Sequence, residues 1–475
     1  MGLKIKHIAF FVIGFFTTVH ILVAQTSDTN FKQPLTETVK KIESVFNIKI
    51  TDNDGLLEEK ELEYAQWKID ATSLELSFAH VLSPFNLSAE KQSDGAYKIK
   101  KFQYHKVSEE KGAERLQYLS SLYNNLEEWE TRKAELKPCM YAAFGLDKAP
   151  KQPNSKPILT KKRQYKGYTV ENIGLEILPG VYTTGSIYKP HPLPKKVAVI
   201  ICPNGHFADG RYRKSEQIRC ATLAKMGAIV INFDLFAWGE SQLQFPSETH
   251  RNSIASTIQV LSGMRLLDYA LSLKYADANR VGVTGGSGGG SQTMVLTALD
   301  DRVAVSVPVV MVSAYHSGGC PCESGRGIHL CGNGTNNVEI AAMAAPKPQL
   351  IVSDGGDWTR KVPEQEFPFI KRIYGFYGKE NLVENVHFPT EGHDYKVSKR
   401  RAVYPFMAKH LNLDLNKVKD KNGNIDESGC VVEPYKKLYV FGEKGEKLPA
   451  NALKDINMLY SMFGEKNYKI YEVSK

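Results

Sequence analysis

The segment Val281-Gly-Val-Thr-Gly-Gly-Ser-Gly-Gly-Gly-Ser combines a nucleophile with the glycine spacing that can expose it. Within it, Gly285 to Gly289 fits the pattern Gly-x-Ser-x-Gly, with Ser287 at the centre. Such a pattern suits a sharp strand-to-helix turn, where bulky neighbours of a strained serine would collide. The backbone N–H of Gly288, at the helix start, would face a developing oxyanion. We therefore predict Ser287 as a nucleophile and Gly288 as an oxyanion donor; a purely structural glycine loop is the alternative.

A serine nucleophile of this kind needs a carboxylate and a histidine, in the chain order Ser, Asp or Glu, His. The sequence Glu391-Gly-His-Asp-Tyr follows the last predicted strand, so His393 is the predicted base. Two aspartates, Asp354 and Asp357, follow the predicted strand at 349–353. The acid must hold the imidazole through its Nδ1–H. We prefer Asp357, which lies further out in the loop, and keep Asp354 as the alternative.

Further residues of a pocket are expected on the loops that follow other strands. The sequence Pro203-Asn-Gly-His-Phe follows the predicted strand at 197–202, so a backbone N–H of His206 or Phe207 is the expected second oxyanion donor. The residues expected to contact substrate are Trp238, Trp358 and Arg211. Aromatic faces and hydrogen-bonding groups suit a sugar ring, whereas packing of the tryptophans at the core or rim is the alternative.

The elements that must position these residues alternate between strand and helix from about residue 167. Continuous apolar runs without polar alternation are predicted as buried strands at 197–202, 228–234, 281–284, 303–311, 349–353 and 385–388. Helices are predicted between them, including 215–226, 253–275 and 289–299. This order predicts an α/β fold with a mostly parallel sheet covered by helices on both faces. Ligands of such a sheet bind beyond the carboxyl ends of its strands.

Residues 167–412 resemble the acetyl-xylan-esterase and dienelactone-hydrolase group of α/β-hydrolases. The resemblance rests on the motifs Gly180-Val-Tyr-Thr-Thr-Gly-Ser-Ile-Tyr, Cys202-Pro-Asn-Gly-His, Gly285-Gly-Ser-Gly-Gly, Asn337-Val-Glu-Ile-Ala-Ala-Met-Ala-Ala-Pro-Lys-Pro and Glu391-Gly-His-Asp. It implies the α/β-hydrolase fold and ester hydrolysis through an acyl-enzyme, often with removal of acetyl groups from polysaccharides. Glucuronoyl esterases are similar as well, but they carry arginine after the nucleophile, where this chain has Gly288.

The first residues predict export. Lys4 and Lys6 precede an apolar run that ends at Ala24, and polar Gln25 follows, as in a secretory signal peptide over residues 1–25. An uncleaved membrane anchor is the alternative. No later stretch approaches the roughly 20 apolar residues of a membrane helix. We therefore expect a periplasmic or extracellular protein.

The remaining chain predicts three regions. Residues 33–102 read as a small α/β domain that resembles the secretin and TonB short N-terminal domain, through Ile48-Lys-Ile, Ser73-Leu-Glu-Leu-Ser-Phe-Ala-His-Val-Leu and Gly95-Ala-Tyr-Lys-Ile. The resemblance implies an envelope docking partner; an unrelated small α/β fold is the alternative. Residues 103–166 are predicted as a helical spacer and linker. Residues 167–475 are the predicted hydrolase domain.

Charge and cysteines set further limits. The formal net charge of +9 is spread along the chain, without the basic recognition element that nucleic-acid binding would need. Of the seven cysteines, Cys320 and Cys322 lie with His329 and Cys331 in one loop. His316 lies in this loop as well, and the loop could border the site. A disulfide suits an exported loop better than free thiols or a metal site, whose usual spacing is missing. We therefore expect no metal and no cofactor.

Together these features predict a secreted serine esterase that acts on an acylated polysaccharide or oligosaccharide. Acetyl esters are the first expected substrates, because no apolar lid segment suits long acyl chains. The alternatives are a serine peptidase or general carboxylesterase on the same fold, and an inactive docking protein. The last is disfavoured because Ser287, His393 and Asp357 are all present.

Overall fold

The computed structural model describes residues 32–465, apart from 64, 66–68, 83–84, 86, 102–105 and 208. The predicted signal peptide, residues 1–25, lies outside the described residues. The chain divides into two compact units, one that ends at Phe102 and one of Gln103–Ile470. Among the helices described, none combines the length and the apolar character needed to cross a membrane.

The described part of the smaller unit, from residue 32 onward, contains two helices and two small sheets. Its elements are β1 (Lys32–Pro34), α1 (Leu35–Phe46), β2 (Ile50–Thr51), β3 (Glu61–Glu63), α2 (Leu74–Leu82), β4 (Leu87–Lys91) and β5 (Tyr97–Lys101). Strand β1 pairs with β3, and β5 lies between β2 and β4. Leu35, Val39 and Ile42 recur at helical spacing and are buried on one face of α1. The resemblance to a secretin and TonB N-terminal domain stays a prediction.

The larger unit is built on a sheet of ten strands. These strands are β6 (Ile158–Leu159), β7 (Arg163–Tyr165), β8 (Tyr168–Leu178), β9 (Val181–Pro190), β10 (Val197–Cys202), β11 (Ala228–Phe233), β12 (Ala276–Gly286), β13 (Val305–Val309), β14 (Gln349–Asp354) and β15 (Val383–Phe388). Their order is β15-β14-β13-β12-β10-β11-β9-β8-β6, and β7 also pairs with β8. The six strands from β15 to β11 are parallel to one another, whereas β9, β8, β7 and β6 extend the sheet in antiparallel pairings.

Helices cover both faces of this sheet. They are α3 (Glu109–Ser121), α4 (Leu126–Ala143), α5 (Lys214–Lys225), α6 (Ile254–Ser272), α7 (Gly288–Leu299), α8 (Pro321–Ser324), α9 (Asn337–Ala342), α10 (Phe367–Phe376), α11 (Val397–Leu411), α12 (Tyr435–Leu438) and α13 (Ile456–Ser461). On β10, Val199 and Ile201 belong to one apolar core while Ile200 and Cys202 belong to another. Alternate residues of a strand point to opposite faces, so a continuous apolar run buries both sides. The predicted fold class, a mostly parallel sheet with helices on both faces, is confirmed.

Helices α3 and α4 differ from the spacer that the sequence predicts for residues 103–166. Trp129, Leu136 and Met140 of α4 are fully buried in the same core as the strands. Buried Arg132 binds the carboxylate of Glu339 and the backbone carbonyls of the loop before it. The high charge of this segment concealed its role, because most of its charged side chains are exposed and buried Arg132 is paired with a distant glutamate.

A disulfide joins α4 to that same loop. Cys139 pairs with Cys331, which lies 192 residues further along the chain. The sequence favours a bridge in the loop that holds Cys320, Cys322 and Cys331, but the bridge goes to α4 instead. Cys320 and Cys322 are free thiols. The partner of Cys331 depended on the packing of α4, which the chain spacing does not reveal.

We predict that replacing Cys139 and Cys331 with serine lowers the free energy of unfolding by roughly 3 to 5 kcal/mol, because the bridge closes a very long loop. Denaturant unfolding under non-reducing conditions measures the change. Cys430→Ser is the matched control, since Cys430 is a free, half-buried thiol. Equal stability of the double variant and the parent would contradict a stabilising role.

Truncation after residue 102 and truncation after residue 150 should have different effects on folding. Removal of residues 1–102 should leave a cooperatively folding protein, because Gln103–Ile470 has its own core. Removal of residues 1–150 should abolish cooperative folding, since it deletes buried Trp129, Leu136 and Met140. Thermal unfolding followed by circular dichroism distinguishes the two. If the protein without residues 1–150 melts as cooperatively as the protein without residues 1–102, residues 103–150 are a spacer after all.

Candidate active site

Ser287 lies at the sharp turn between β12 and α7. Its backbone has φ 57° and ψ −125°, a conformation that a residue with a side chain rarely adopts. Its N–H donates to the carbonyl of Val309, the last residue of the neighbouring strand β13. Ser287 is 8% exposed. This is the strained turn that the Gly-x-Ser-x-Gly pattern predicts, and the sheet holds it in place.

The loop after β10 packs directly onto this turn. A Cβ atom at Gly205 would lie 2.3 Å from the carbonyl oxygen of Gly286 and 2.9 Å from Cβ of Ser287. At Gly285 it would lie 2.5 Å from the carbonyl oxygen of Pro203. Only glycine fits at these positions. The close approach brings the backbone of residues 205–207 beside Ser287, where the second oxyanion donor is expected.

Side-chain amides hold this loop. Asn204 donates to the carbonyl of Phe233, at 2.6 Å, and Asn232 donates to the carbonyl of Cys202, at 2.9 Å. Gly288 is the first residue of α7, where backbone N–H groups lack partners within the helix. The arrangement can therefore present N–H groups from two segments toward one point near Ser287.

His393 and Asp357 meet at the carboxyl ends of β14 and β15. His393 Nδ1 lies 2.6 Å from Asp357 Oδ2. The other carboxylate oxygen, Oδ1, accepts 2.6 Å hydrogen bonds from the N–H and the hydroxyl of Thr359. Asp357 is thus oriented by Thr359 on one side and bound to the imidazole on the other. Such a carboxylate selects the imidazole tautomer with its proton on Nδ1.

The carboxylate of Asp354 is paired with a lysine. Its Oδ2 lies 3.1 Å from Nζ of Lys399, and both side chains are fully buried. Lys399 also donates to the carbonyl of Gly392 at 2.8 Å, next to His393. Burial and the nearby charge of Asp357 raise the pKa of Asp354 to about 6, although Lys399 opposes the shift. The pair therefore anchors the loop that carries His393.

Trp358 contacts two histidine rings. Its ring centroid lies 4.4 Å from that of His393 and 4.1 Å from that of His316. Phe207 approaches His393 from another direction, with centroids 5.8 Å apart. Burial lowers the pKa of His316 to about 4, so this ring is neutral near neutral pH. The sequence suggests that the loop of His316 borders the site. It does not predict the ring contact with Trp358, because that contact is formed by the fold.

A cavity of about 390 Å³ opens beside this ring stack. Its lining includes Lys106, Tyr315, Asp357, Trp358 and Arg360. Arg360 is ion-paired with Glu109, on the rim of the same cavity. The cavity thus combines an aromatic face with groups of both charges next to the Asp357–His393 pair.

Arg211 is not available to a substrate, contrary to the expectation from the sequence. The residue is 2% exposed. Its guanidinium pairs with Asp234 and Glu240, each at 2.9 Å. The carboxylates belong to the loop after β11, so Arg211 holds that loop from within. The position of Arg211 near the carboxyl end of a predicted strand indicates a substrate contact, but its guanidinium is paired with two buried carboxylates instead.

Trp238 and His206 meet on the other side of the turn. Their ring centroids are 5.7 Å apart, and Trp238 also lies 5.4 Å from the ring of His250. The side chain of His206 is directed into a group with His250 and Cys322. Of the predicted site residues, the structure thus brings Trp358, Phe207, His393 and Asp357 together, and it places Trp238 and the His206 side chain in a neighbouring cluster.

No family model matches the chain. No curated protein matches it either. Among solved structures, the chain is similar to methylesterase BT1017, with 46% sequence identity and a TM-score of 0.75, over 92% of this chain and 97% of that one. It also matches a candidate acetyl xylan esterase from Bacteroides fragilis NCTC 9343, at 17% identity and TM-score 0.45, over 72% and 94% of the two chains. A glucuronoyl esterase from Solibacter usitatus matches at 14% identity and TM-score 0.42, over 60% and 94%.

The match to methylesterase BT1017 differs in kind from the other two. It spans nearly the whole of both chains, at an identity where fold and family are shared. The chain therefore belongs to the family of α/β-hydrolase esterases that includes methylesterase BT1017.

Proposed function

We propose that this protein is a serine esterase that removes methyl groups from a methyl-esterified acidic polysaccharide. The observation that carries the esterase assignment is the Asp357–His393 hydrogen bond, formed at the same sheet edge as the strained Ser287 turn. The methyl-ester assignment rests on the relationship to methylesterase BT1017. This proposal replaces the acetyl ester that the sequence favours as first substrate.

In the proposed reaction, His393 Nε2 takes the proton of Ser287 Oγ as that oxygen attacks the ester carbonyl carbon. Asp357 stabilises the imidazolium that forms, and Thr359 keeps the carboxylate in position. Backbone N–H groups of Gly288 and of His206 or Phe207 bind the oxyanion. His393 then protonates the leaving methoxide, and methanol departs. A water molecule, activated by the same histidine, releases the carboxylate and restores Ser287.

A methyl ester puts the sugar on the acyl side of the bond. The leaving group is small, so the enzyme must bind the carboxyl-bearing sugar rather than an acyl chain. The cavity beside Asp357 supports this arrangement, because Trp358 offers an aromatic face and Lys106 offers an ammonium group, while Arg360 is paired with Glu109. A partly de-esterified polymer carries free carboxylates, which positive charge attracts.

Export and docking are part of the same proposal. The disulfide between Cys139 and Cys331 suits an oxidising compartment, in agreement with the signal peptide predicted at residues 1–25. Export also matches a polymer too large to enter a cell. The smaller unit is proposed to dock the enzyme to an envelope partner, on the strength of its sequence pattern alone.

We predict that Ser287→Ala lowers kcat on methyl esters by on the order of 10⁶, because the nucleophile is lost. Labelling by a fluorophosphonate probe should disappear as well. Ser291→Ala is the matched control, a buried serine one turn into α7. Near-normal turnover of Ser287→Ala would overturn the nucleophile assignment.

The two aspartates should respond differently to the same change. Asp357→Asn should lower kcat by roughly 10⁴ with little loss of stability, because an amide favours the wrong histidine tautomer. Asp354→Asn should instead cost on the order of 3 kcal/mol of stability, because Lys399 loses a buried partner. Steady-state kinetics and thermal unfolding of both variants test this pair. The reverse order of kinetic effects would make Asp354 the acid.

Substrate choice is tested by product release. Methanol release from methyl-esterified galacturonan should exceed acetate release from acetylated xylan in kcat/KM by at least about 100-fold, since the two differ in which side of the ester is bound. Ser287→Ala is the blank for both assays. Faster acetate release would restore the acetyl-esterase expectation. Peptide cleavage without release of methanol or acetate would favour the peptidase alternative.

A further inference from the structure

Four side chains that the proposed reaction does not use converge beside the Ser287 turn. They are His206, His250, Cys320 and Cys322, and one nitrogen or sulfur atom of each lies within 4.8 Å of those of the others. His206 Nε2 is 2.8 Å from His250 Nε2 and 2.9 Å from Cys322 Sγ. His250 and Cys322 are buried, whereas His206 and Cys320 are half-buried. Two imidazoles and two thiols thus point to one centre.

The remaining ring nitrogens indicate which atoms carry lone pairs. His250 Nδ1 lies 2.6 Å from the backbone carbonyl of Phe236, so this nitrogen holds the proton. His206 Nδ1 is on the side of the buried Glu323 carboxylate, 4.0 Å from its Oε1, which is longer than a hydrogen bond. Metal-binding histidines commonly donate their other N–H to a carbonyl or carboxylate in this way. Both Nε2 atoms lie toward the centre of the group, where they could bind an ion.

A cation between the two imidazoles would satisfy both Nε2 atoms at once. At 2.8 Å, the two Nε2 atoms repel each other unless one of them carries a proton or a cation binds both. A divalent ion with two thiolates forms a neutral group, which is compatible with burial. Zinc accepts two nitrogens at about 2.0 Å and two sulfurs at about 2.3 Å in a tetrahedron. A tetrahedron of that size has edges of about 3.3 to 3.8 Å. The separations of His206 Nε2 from His250 Nε2 and from Cys322 Sγ are shorter, at 2.8 and 2.9 Å, so these side chains would move apart by about half an ångström to hold the ion.

We propose that His206, His250, Cys320 and Cys322 bind one zinc ion. Four protein ligands leave no open position, so the ion is structural rather than catalytic. It joins three segments that are distant in sequence: the loop after β10, the segment before α6 and the start of α8. Because His206 lies in the loop that packs on Ser287, the ion holds that loop against the turn. Trp238 shields the histidines with its ring.

The proposal is independent of the ester substrate and replaces the expectation of no metal. In the sequence, Cys320 and Cys322 lie close to His329 and Cys331, and the spacing of these four residues is not that of a usual zinc site. In the structure Cys331 is in the disulfide, and His329 Nε2 contacts Asn337 at 3.0 Å. The histidines that face the two thiols come from other loops, which loop spacing does not reveal.

The test begins with metal analysis of the full-length protein, made without a histidine tag and purified without chelators. Plasma mass spectrometry should find about one zinc per chain. X-ray absorption at the zinc edge should show nitrogen and sulfur ligands together. Replacement by Co²⁺ should give the thiolate-to-cobalt absorption band. These three readouts need no variant and no substrate.

Variants then identify the ligands. Cys320→Ser and His250→Ala should each lose most of the zinc and the cobalt band, because a four-ligand site tolerates the loss of a ligand poorly. Cys430→Ser and His329→Gln are the matched controls and should retain both. A strong chelator should lower the melting temperature of the parent protein, and added zinc should restore it.

Three results would contradict the proposed zinc site. Parent protein that contains no zinc and shows no cobalt band after reduction and titration would overturn the site. A Cys320–Cys322 disulfide in peptide maps of native protein would do so too, because oxidised sulfurs cannot bind the ion. Zinc retained by the Cys320→Ser, Cys322→Ser double variant would place the metal elsewhere. None of these results would affect the test of Ser287.

Discussion

The close packing of the loop after β10 on the turn at Ser287 is the constraint on which the site depends. The turn needs a positive φ at a residue with a side chain, which costs of the order of 1 to 3 kcal/mol and persists only when the surroundings impose it. Here the carbonyl of Val309 fixes the turn from one side, and Gly205 allows backbone to touch it from the other. The nucleophile and the expected oxyanion donors are therefore positioned by the same contact.

The two aspartates after β14 show how burial divides two similar residues between different tasks. Asp354 is fully buried and paired with Lys399, which in turn binds the backbone beside His393. Asp357 lies three residues on, where the chain has left the sheet, and it reaches the imidazole itself. A buried charge must be paired, so one carboxylate supports the loop while the other remains for the histidine.

Helix α4 holds the chain segment of residues 331–339 in place. It is tied to residues 331–339 by the Cys139–Cys331 disulfide and by Arg132, whose guanidinium binds Glu339. The same stretch of chain continues back to Cys320 and Cys322, beside His206 and His250. A segment that looks like a spacer in sequence thus connects, through covalent and buried polar contacts, to the proposed zinc cluster next to the active site.

The sequence alone determined the parallel sheet, because unalternated apolar runs can only be buried on both faces. It also determined the turn at Ser287, because glycine spacing reports backbone geometry locally, and it indicated His393 and Asp357 through their position after strands. Tertiary structure alone decided the burial of Arg211, the partner of Cys139 and the convergence of His206 with two cysteines. These depend on contacts between residues far apart in the chain, and local patterns carry no record of which distant side chains will meet.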